Sequence, residues 1–306
     1  MILLVALDFL GSMFGYVLWF LFDAVSNYTV AIVLFTVLIN LLMFPFAVKR
    51  QRTMASNARM AEKHRELKKR YEKDIKKYNE EVAKLYEKEG MNPMSGCLTT
   101  MLLPMIIWVG IIAPINSPLK NTLHIPEDKI KSAVQILPTL PEVEGKITKG
   151  YEELQIVQHF PQIKEHLTMF NEEELADIEE YSSGFDLMGI NLLKKPSDCG
   201  FSDMLWVIPV VYFISSIFMM YFSQKMSGAQ NQAEGCMKFM PYAMSVVTAW
   251  FAYTVPGAMG IYWLLNSLVA IIQTLILGRF YNVYTINAKD EAARFARLKI
   301  QESSEE

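Results

Sequence analysis

The sequence predicts an all-α integral membrane protein: a five-span helical bundle with an N-terminal interfacial helix and a cytoplasmic helical hairpin. Of the 306 residues, 52% are hydrophobic, which is high for a soluble protein. Several apolar stretches reach the roughly 20 residues that a helix needs to cross a bilayer. The polar segments between them differ in charge: residues 49–92 carry 14 lysines and arginines against 8 acidic residues.

The distribution of arginine predicts the orientation of the spans. All 8 arginines lie within residues 49–92 or after Leu277. Residues 117–203 contain none, and they carry 16 acidic residues against 8 lysines. Lysine and arginine are enriched in short cytoplasmic loops. Residues 49–92 and the C-terminus are therefore predicted to be cytoplasmic, and residues 117–203 to be external.

The first apolar stretch, residues 2–22, is interrupted at helical spacing by weakly polar residues such as Asp8, Gly11 and Gly15. A polar stripe of this kind predicts an interfacial helix that lies on the outer surface of the membrane. A membrane span is the alternative, since about 20 apolar residues suffice.

Residues 49–89 contain neither glycine nor proline and predict a long helix. Their apolar positions follow helical spacing, and this seam consists of Leu67, Tyr71, Ile75, Tyr78, Val82 and Leu85. One straight helix of this length would extend about 60 Å from the membrane and leave the next span far from the first. A bend near residues 71–74 is therefore expected, which gives a hairpin.

Prolines, glycines and changes in charge divide the remaining chain. In the external part, amphipathic helices are expected near residues 127–137, 151–168 and 171–181. The predicted segments are the interfacial helix (1–27), span 1 (28–48), the cytoplasmic hairpin (49–92), span 2 (93–116), the external acidic helical segment (117–200), span 3 (201–223), a cytoplasmic loop (224–238), span 4 (239–256), span 5 (257–281) and a cytoplasmic tail (282–306).

Composition and motifs argue against several functional classes. The basic stretch is of mixed sign, so nucleic-acid binding is not expected. In the predicted topology Cys199 is external while Cys97 and Cys236 are internal, so no disulfide is expected. The 4 histidines lie outside the spans, and no hydrolase or metalloprotease motif occurs. We therefore expect no enzymatic activity, no metal and no cofactor.

Polar residues inside the predicted spans are candidate functional positions. Thr36 and Asn40 are four residues apart and share one helix face, and Asn266 and Gln273 lie in span 5. Polar groups in a bilayer tend to face a bundle interior or a cavity. One interpretation is a hydrated cavity in which Asn40 faces Gln273 or Trp263. The alternative is ordinary hydrogen bonding between helices.

Several motifs, taken in order, resemble those of one family of membrane proteins. Residues 89–98 (EGMNPMSGCL) are similar to the entry into that family's second span, and residues 185–192 (FDLMGINL) to the stretch before its third. Residues 237–241 (MKFMP) with 256–263 (PGAMGIYW) resemble its later signature. Residues 32–49 resemble its first span, although Asn40 stands where the family has an arginine.

These motifs resemble those of the YidC-type membrane protein insertases (the YidC/Oxa/Alb family). The resemblance implies a membrane protein insertase and chaperone, with a hydrophilic groove open to the cytoplasm and to lipid. It places Thr36, Asn40, Tyr262, Trp263 and Gln273 at that groove. The implied partners are nascent membrane proteins and the lipid bilayer, with the ribosome and the Sec translocon as candidates. The implied location is the plasma membrane, with the N-terminus outside and the C-terminus in the cytoplasm. A multi-pass solute or ion transporter is the alternative function.

Overall fold

The computed structural model describes residues 2–72, 74–88, 103–139, 141, 150–187, 189–200, 202–227, 239–280 and 283–305. Most of these residues are helical. The helices are α1 (Ile2–Val25), α2 (Tyr28–Arg70), α3 (Ile75–Lys88), α4 (Leu103–Asn116), α5 (Pro118–Asn121), α6 (Glu127–Ile136), α7 (Glu152–Ile163), α8 (Glu172–Ser183), α9 (Val207–Ser227), α10 (Met240–Thr254), α11 (Gly257–Phe280) and α12 (Val283–Glu305). A two-residue antiparallel pair joins β1 (Asp186–Leu187) to β2 (Ile190–Asn191).

The predicted class, an all-α membrane protein, is confirmed. Within the described residues, 4 stretches are long and apolar enough to cross a membrane, and they are Asp8–Val25, Tyr28–Thr53, Met204–Lys225 and Gly257–Ala293. Met105–Asn116 is a shorter apolar helix. The number of spans stays a prediction, because the start of predicted span 2 and most of the loop at 224–238 lie outside the described residues. The stretch in α1 is long enough to span, so both interpretations of that helix remain.

The chain folds into two compact units, and each is described by itself. The first comprises residues 1–40, 104–215 and 245–269. Its core contains an aromatic cluster to which α1, α2 and α8 contribute. The rings of Tyr28 and Phe185 stack with centroids 3.9 Å apart, and Tyr181 meets Phe22 edge-on at 5.2 Å. All four side chains are almost completely buried.

Helix α1 packs closely against the segment around α5. A Cβ atom added to Gly15 would lie 1.7 Å from the backbone oxygen of Asn121, so only glycine permits this approach. Lys120 binds Asp8 at 3.2 Å, and the ring of Tyr16 stacks on His124 at 3.6 Å. The small residues of the predicted polar stripe therefore face protein rather than water.

Helices α6, α7 and α8 form the predicted external segment and are called the external helices below; they lie close to their predicted positions and pack on one another. Asn171 caps α8, because its side chain accepts a hydrogen bond from the amide of Glu174 while the Glu174 carboxylate accepts one from the amide of Asn171. The Glu174 carboxylate also binds Lys129 of α6 at 2.7 Å. Ser182 of α8 donates to the carbonyl oxygen of Val157 in α7 at 2.9 Å.

The second unit comprises residues 41–103, 216–244 and 270–306, and it contains the helical hairpin. Helix α2 continues to Arg70, and α3 begins at Ile75, so the helix breaks at the predicted place. Asp74 caps α3 by accepting a hydrogen bond from the amide of Lys77 at 3.0 Å. The two arms meet where Nδ1 of His64 lies 3.3 Å from the hydroxyl of Tyr78.

Candidate functional site: polar residues in the apolar helices

Asn40 forms a polar contact between two apolar helices of the first unit. Its Nδ2 atom donates to the carbonyl oxygen of Thr36, one turn earlier in α2, at 2.9 Å. The same atom donates to Oδ1 of Asn266 in α11 at 3.3 Å. Residues 28–48 and 257–278 contain no charged side chain, so a pair of neutral amides supplies the polarity here.

Thr36 supports this contact from within α2. It is 1% exposed, and its hydroxyl donates to the carbonyl oxygen of Ile32 at 2.6 Å. A threonine that bonds back to its own helix keeps its hydroxyl away from a neighbouring group. Thr36 therefore contributes its backbone oxygen, rather than its side chain, to the position of Asn40.

The other predicted site residues lie along α11. Tyr262 is 3% exposed. Trp263 is half-buried beside Tyr212 of α9, with ring centroids 6.1 Å apart, and it lines a cavity near the start of α11. Gln273 is half-buried in the second unit. The structure brings Asn40 together with Asn266, while its predicted proximity to Gln273 or Trp263 stays a prediction.

Asn266 contacts Asn40 but was not among the predicted site residues. The sequence held a signal for it, because an asparagine within an uncharged apolar helix is expensive in a bilayer and needs a partner. Its partner could not be read from local spacing, since 226 positions separate the two asparagines.

The amides of Asn40 and Asn266 can bind a polar group by hydrogen bonding. An asparagine amide offers two N–H donors and an acceptor oxygen with two lone pairs. The hydrogen bonds from Asn40 to Thr36 and Asn266 use its Nδ2 group, so its carbonyl oxygen is still able to accept a hydrogen bond from water or from a polar peptide segment.

Within the described residues, no group of three or more histidine, cysteine or acidic side chains could hold a metal ion.

Comparison with known proteins gives the family. A family model described as 60Kd inner membrane protein matches residues 20–284, which is most of the chain. The chain belongs to this family. It is 27% identical over 266 residues to "Membrane protein insertase YidC" of Caldanaerobacter subterraneus subsp. tengcongensis, and the match covers 87% of this chain and 92% of that protein.

Two other relatives are longer than this chain. "Inner membrane ALBINO3-like protein 2, chloroplastic" of Chlamydomonas reinhardtii is 23% identical over 287 residues, covering 89% of this chain and 56% of that protein. The YidC of Granulibacter bethesdensis is 40% identical over 94 residues, 31% of this chain and 16% of that protein. These relatives confirm the resemblance to YidC-type insertases, a family of membrane proteins.

Proposed function

We propose that this protein inserts newly made membrane proteins into the cell membrane and helps them to fold, and that Asn40 and Asn266 line the hydrophilic groove that admits the polar segments of its clients. The single observation that carries the site is the contact of 3.3 Å between these two amides in otherwise apolar helices. The proposed activity is supported by the match of residues 20–284 to the family model.

The chemistry of the pair defines the clients that suit it. A neutral amide attracts a polar segment by hydrogen bonding, whereas an arginine at this position would also attract acidic segments by charge. We therefore propose that clients with uncharged polar external segments are inserted best. Their apolar helices then leave the groove sideways into lipid.

Photocrosslinking tests the groove directly. A photoreactive residue at position 40 should be captured by a nascent membrane protein stalled during insertion. Position 38 is the matched control, because Leu38 lies at a similar depth and about 200° round the same helix. Capture of a client at 38 but not at 40 contradicts the groove. Capture of no protein at either position favours a transporter.

Two substitutions at Asn40 distinguish a hydrated groove from a dry, packed bundle. In a hydrated groove Asn40→Arg should be tolerated, because water lowers the cost of the charge and the guanidinium can donate to Asn266. In a dry bundle the same change should cost at least about 2.5–3.5 kcal/mol and impair folding. Asn40→Leu should leave the protein folded and reduce insertion of clients with polar or acidic external segments.

The readouts are membrane abundance and complementation of an insertase-deficient strain. Leu38→Arg is the control, because its exposed side chain lies on the opposite face and a charge there should reduce abundance. If Asn40→Arg is degraded and Asn40→Leu is fully active, the groove does not include Asn40.

We also propose the orientation: N-terminus outside, residues 49–92 and the C-terminus in the cytoplasm, and five spans between them. The charge distribution supports it. An impermeant maleimide added to intact cells should label Cys199, whereas Cys97 and Cys236 should react only after the cells are permeabilised. Labelling of Cys236 from outside would overturn the orientation.

The remaining partners are the ribosome and the Sec translocon, each of which handles nascent membrane proteins before or during insertion. We expect one or both to co-purify with the protein when a nascent client is stalled. Absence of both, with clients still captured at position 40, would show that the protein acts alone.

A further inference from the structure

A short segment between α8 and α9 contacts both of the helices that carry the asparagine pair. It consists of residues 184–187 and 189–194, includes the paired strands β1 and β2, and is called the strap below. The strap, the start of α2 and the start of α11 all belong to the first unit. The helices of Asn40 and Asn266 are therefore joined through one short piece of chain at their predicted external ends.

The first half of the strap holds the start of α2. The amide of Tyr28, the first residue of α2, donates to the carbonyl oxygen of Gly184 at 2.9 Å. The rings of Tyr28 and Phe185 stack with centroids 3.9 Å apart, and both side chains are almost completely buried. Amides in the first turn of a helix have no acceptor within that helix, so the strap supplies the one that α2 needs here.

The second half of the strap holds the start of α11 by two more backbone hydrogen bonds. The amide of Gly257 donates to the carbonyl oxygen of Lys194 at 2.9 Å. The amide of Ala258 donates to the carbonyl oxygen of Leu192 at 2.7 Å. A Cβ atom added to Gly257 would lie 3.1 Å from that oxygen and 2.7 Å from a methyl group of Leu205. Glycine at position 257 therefore lets the strap lie directly against the end of α11.

The two halves of the strap are bonded to each other. The amide of Leu192 donates to the carbonyl oxygen of Phe185 at 3.0 Å, and the pairing of β1 with β2 continues from there. In the turn between the strands, Oδ1 of Asp186 accepts a hydrogen bond from the amide of Gly189 at 2.7 Å. Because each half holds one helix, a fixed separation of the halves fixes the separation of the two helix ends.

The asparagine pair lies within a short length of helix from these anchors. Asn40 follows Tyr28 by twelve residues and Asn266 follows Gly257 by nine, which is about 18 Å and about 14 Å of helix. The contact of 3.3 Å between the two amides is already long for an N–H···O hydrogen bond. A displacement of either helix by about 1 Å would therefore break it.

We propose that the strap positions the asparagine pair: it fixes the separation of α2 and α11 at their predicted external ends and thereby keeps Asn40 in contact with Asn266. Phe185, Leu192 and Gly257 are positioning residues in this arrangement, because they hold the helix ends. The consequence for insertion rests on the proposed function, whereas the positioning does not. The alternative is that the strap only covers the apolar ends of the helices.

The test replaces residues 186–191 of the full chain by a six-residue glycine–serine segment. This change removes the pairing of β1 with β2 and keeps the buried residues Gly184, Phe185 and Leu192. A flexible segment of this length spans about 12–15 Å, whereas paired strands hold opposite residues about 5.5 Å apart.

Spin labels at the exposed positions Val30 in α2 and Leu268 in α11 measure the separation of the helices. They are attached to cysteines introduced there, in a chain whose three native cysteines are replaced by serine. In the glycine–serine variant the measured distance should increase or spread by at least about 3 Å, because the two halves of the strap are no longer tied.

Gly257→Ala tests the contact between the strap and α11 with a single methyl group. It should displace Leu192 and change the separation by less than the glycine–serine segment does. Gly260→Ala is the matched control in the same helix, because its Cβ atom would lie 2.9 Å from a methyl group of Ile208 and would not meet the strap. It should leave the separation unchanged.

Insertion of a client with a polar external segment into vesicles is the second measurement. Loss of the contact between the asparagines should reduce insertion by the glycine–serine variant about two- to tenfold, the effect of one hydrogen bond. Gly260→Ala should insert this client like the parent protein.

The separation of the labels decides between positioning and mere cover. A lower melting temperature with an unchanged separation overturns the proposal, because the strap then only covers the helix ends. An increased separation with normal insertion overturns the role of the strap in insertion. If the parent protein inserts no client, the proposed function fails, and the separation still decides whether the strap positions the helices. Size-exclusion chromatography shows whether each variant is folded, and Gly257→Ala against Gly260→Ala decides the matter if the glycine–serine variant is not.

Discussion

Helices α6–α8 of the predicted external segment and the hairpin, which is formed by α3 and the part of α2 after Lys49, are similar in sequence but differ in packing. Both are charged helices with an apolar seam. Helix α7 buries half of its 12 residues, among them Leu154, Val157 and Phe160. None of the seam residues of the hairpin is fully buried, and Ile75 is 75% exposed. Apolar spacing therefore predicts a helix in both regions but burial in only one.

The difference comes from what each seam meets. In the first unit the seams of α7 and α8 contribute to a core with aromatic side chains from α1 and α2, such as Phe22 and Tyr28. In the hairpin the seam is narrow and rich in tyrosine, whose hydroxyl group seeks water or a partner. Few buried apolar contacts mean low local stability. We expect the external segment to be rigid and the hairpin to open readily.

The largest effect should follow a change that breaks the packing of the external region. In Gly15→Val the new Cβ atom would lie within 1.7 Å of the Asn121 backbone, which cannot move without displacing α5. We expect the free energy of unfolding to decrease by roughly 3 kcal/mol or more, because most single substitutions cost less than this and larger losses come from severe changes in packing. The measurement is the melting temperature and membrane abundance of the variant.

Gly200→Ala is the matched control, because a Cβ atom there meets nothing within 4 Å. It should melt like the parent protein. A Gly15→Val protein with unchanged stability would show that α1 is not packed on the external segment.

A smaller effect should come from Glu153, which links α7 to the segment around α5. Burial raises the pKa of its carboxyl group to about 7 from an ordinary value of 4.5, although the amide of Lys120 donates to it at 3.0 Å. The folded protein therefore holds this proton more tightly than the unfolded chain. Through this residue, the free energy of unfolding should decrease as the pH rises from about 4.5 to about 7.

Glu153→Gln should remove that pH dependence and stabilise the protein above pH 7 by about 1–3 kcal/mol. Unfolding of both proteins at pH 5 and pH 8 measures it. Glu172→Gln, at an exposed carboxylate, reports the background change. If Glu153→Gln is less stable than the parent at pH 8, the ionised carboxylate is the form that holds the two segments together.

Local patterns predicted most of the helices, whereas the bend of the hairpin was predicted from the length of the helix, which would otherwise carry the chain far from the membrane. The spacing of apolar residues and the breaks at glycine and proline lie within a few positions of the helix that they predict. A single sequence is therefore enough to locate these helices. Asp74 is a further local signal for the bend, since aspartate is a preferred N-cap and its side chain accepts a hydrogen bond from the amide of Lys77. The external helices also begin and end close to their predicted limits.

The contacts that give α1 and Asn40 their surroundings could not be predicted in this way. The small stripe of α1 was interpreted as a polar face, but Gly15 is small because the backbone of Asn121, more than 100 positions later, lies against it. Likewise, a partner for Asn40 was expected, yet nothing local distinguishes Asn266 from Gln273. Such contacts depend on how the helices pack, which spacing within one helix does not determine.

The smallest effects should come from a pair of matched deletions of one hydrogen bond in each region. Ser182→Ala removes the bond to Val157 between α7 and α8, and Tyr78→Phe removes the contact with His64 between the arms of the hairpin. A typical bond contributes about 0.5–1.5 kcal/mol. Ser182→Ala should reach that range, because Val157 is fully buried and its carbonyl oxygen would lose its partner. Tyr78→Phe should cost less than about 0.5 kcal/mol, since water can replace the contact in a region with few buried residues.

Hydrogen exchange of the backbone amides measures the local stability of both regions, with slow exchange expected across α7 and α8 and fast exchange across α3. If exchange in α3 is as slow as in α7, or if Tyr78→Phe costs more than Ser182→Ala, the hairpin is as tightly packed as the external region and its proposed ease of opening is wrong.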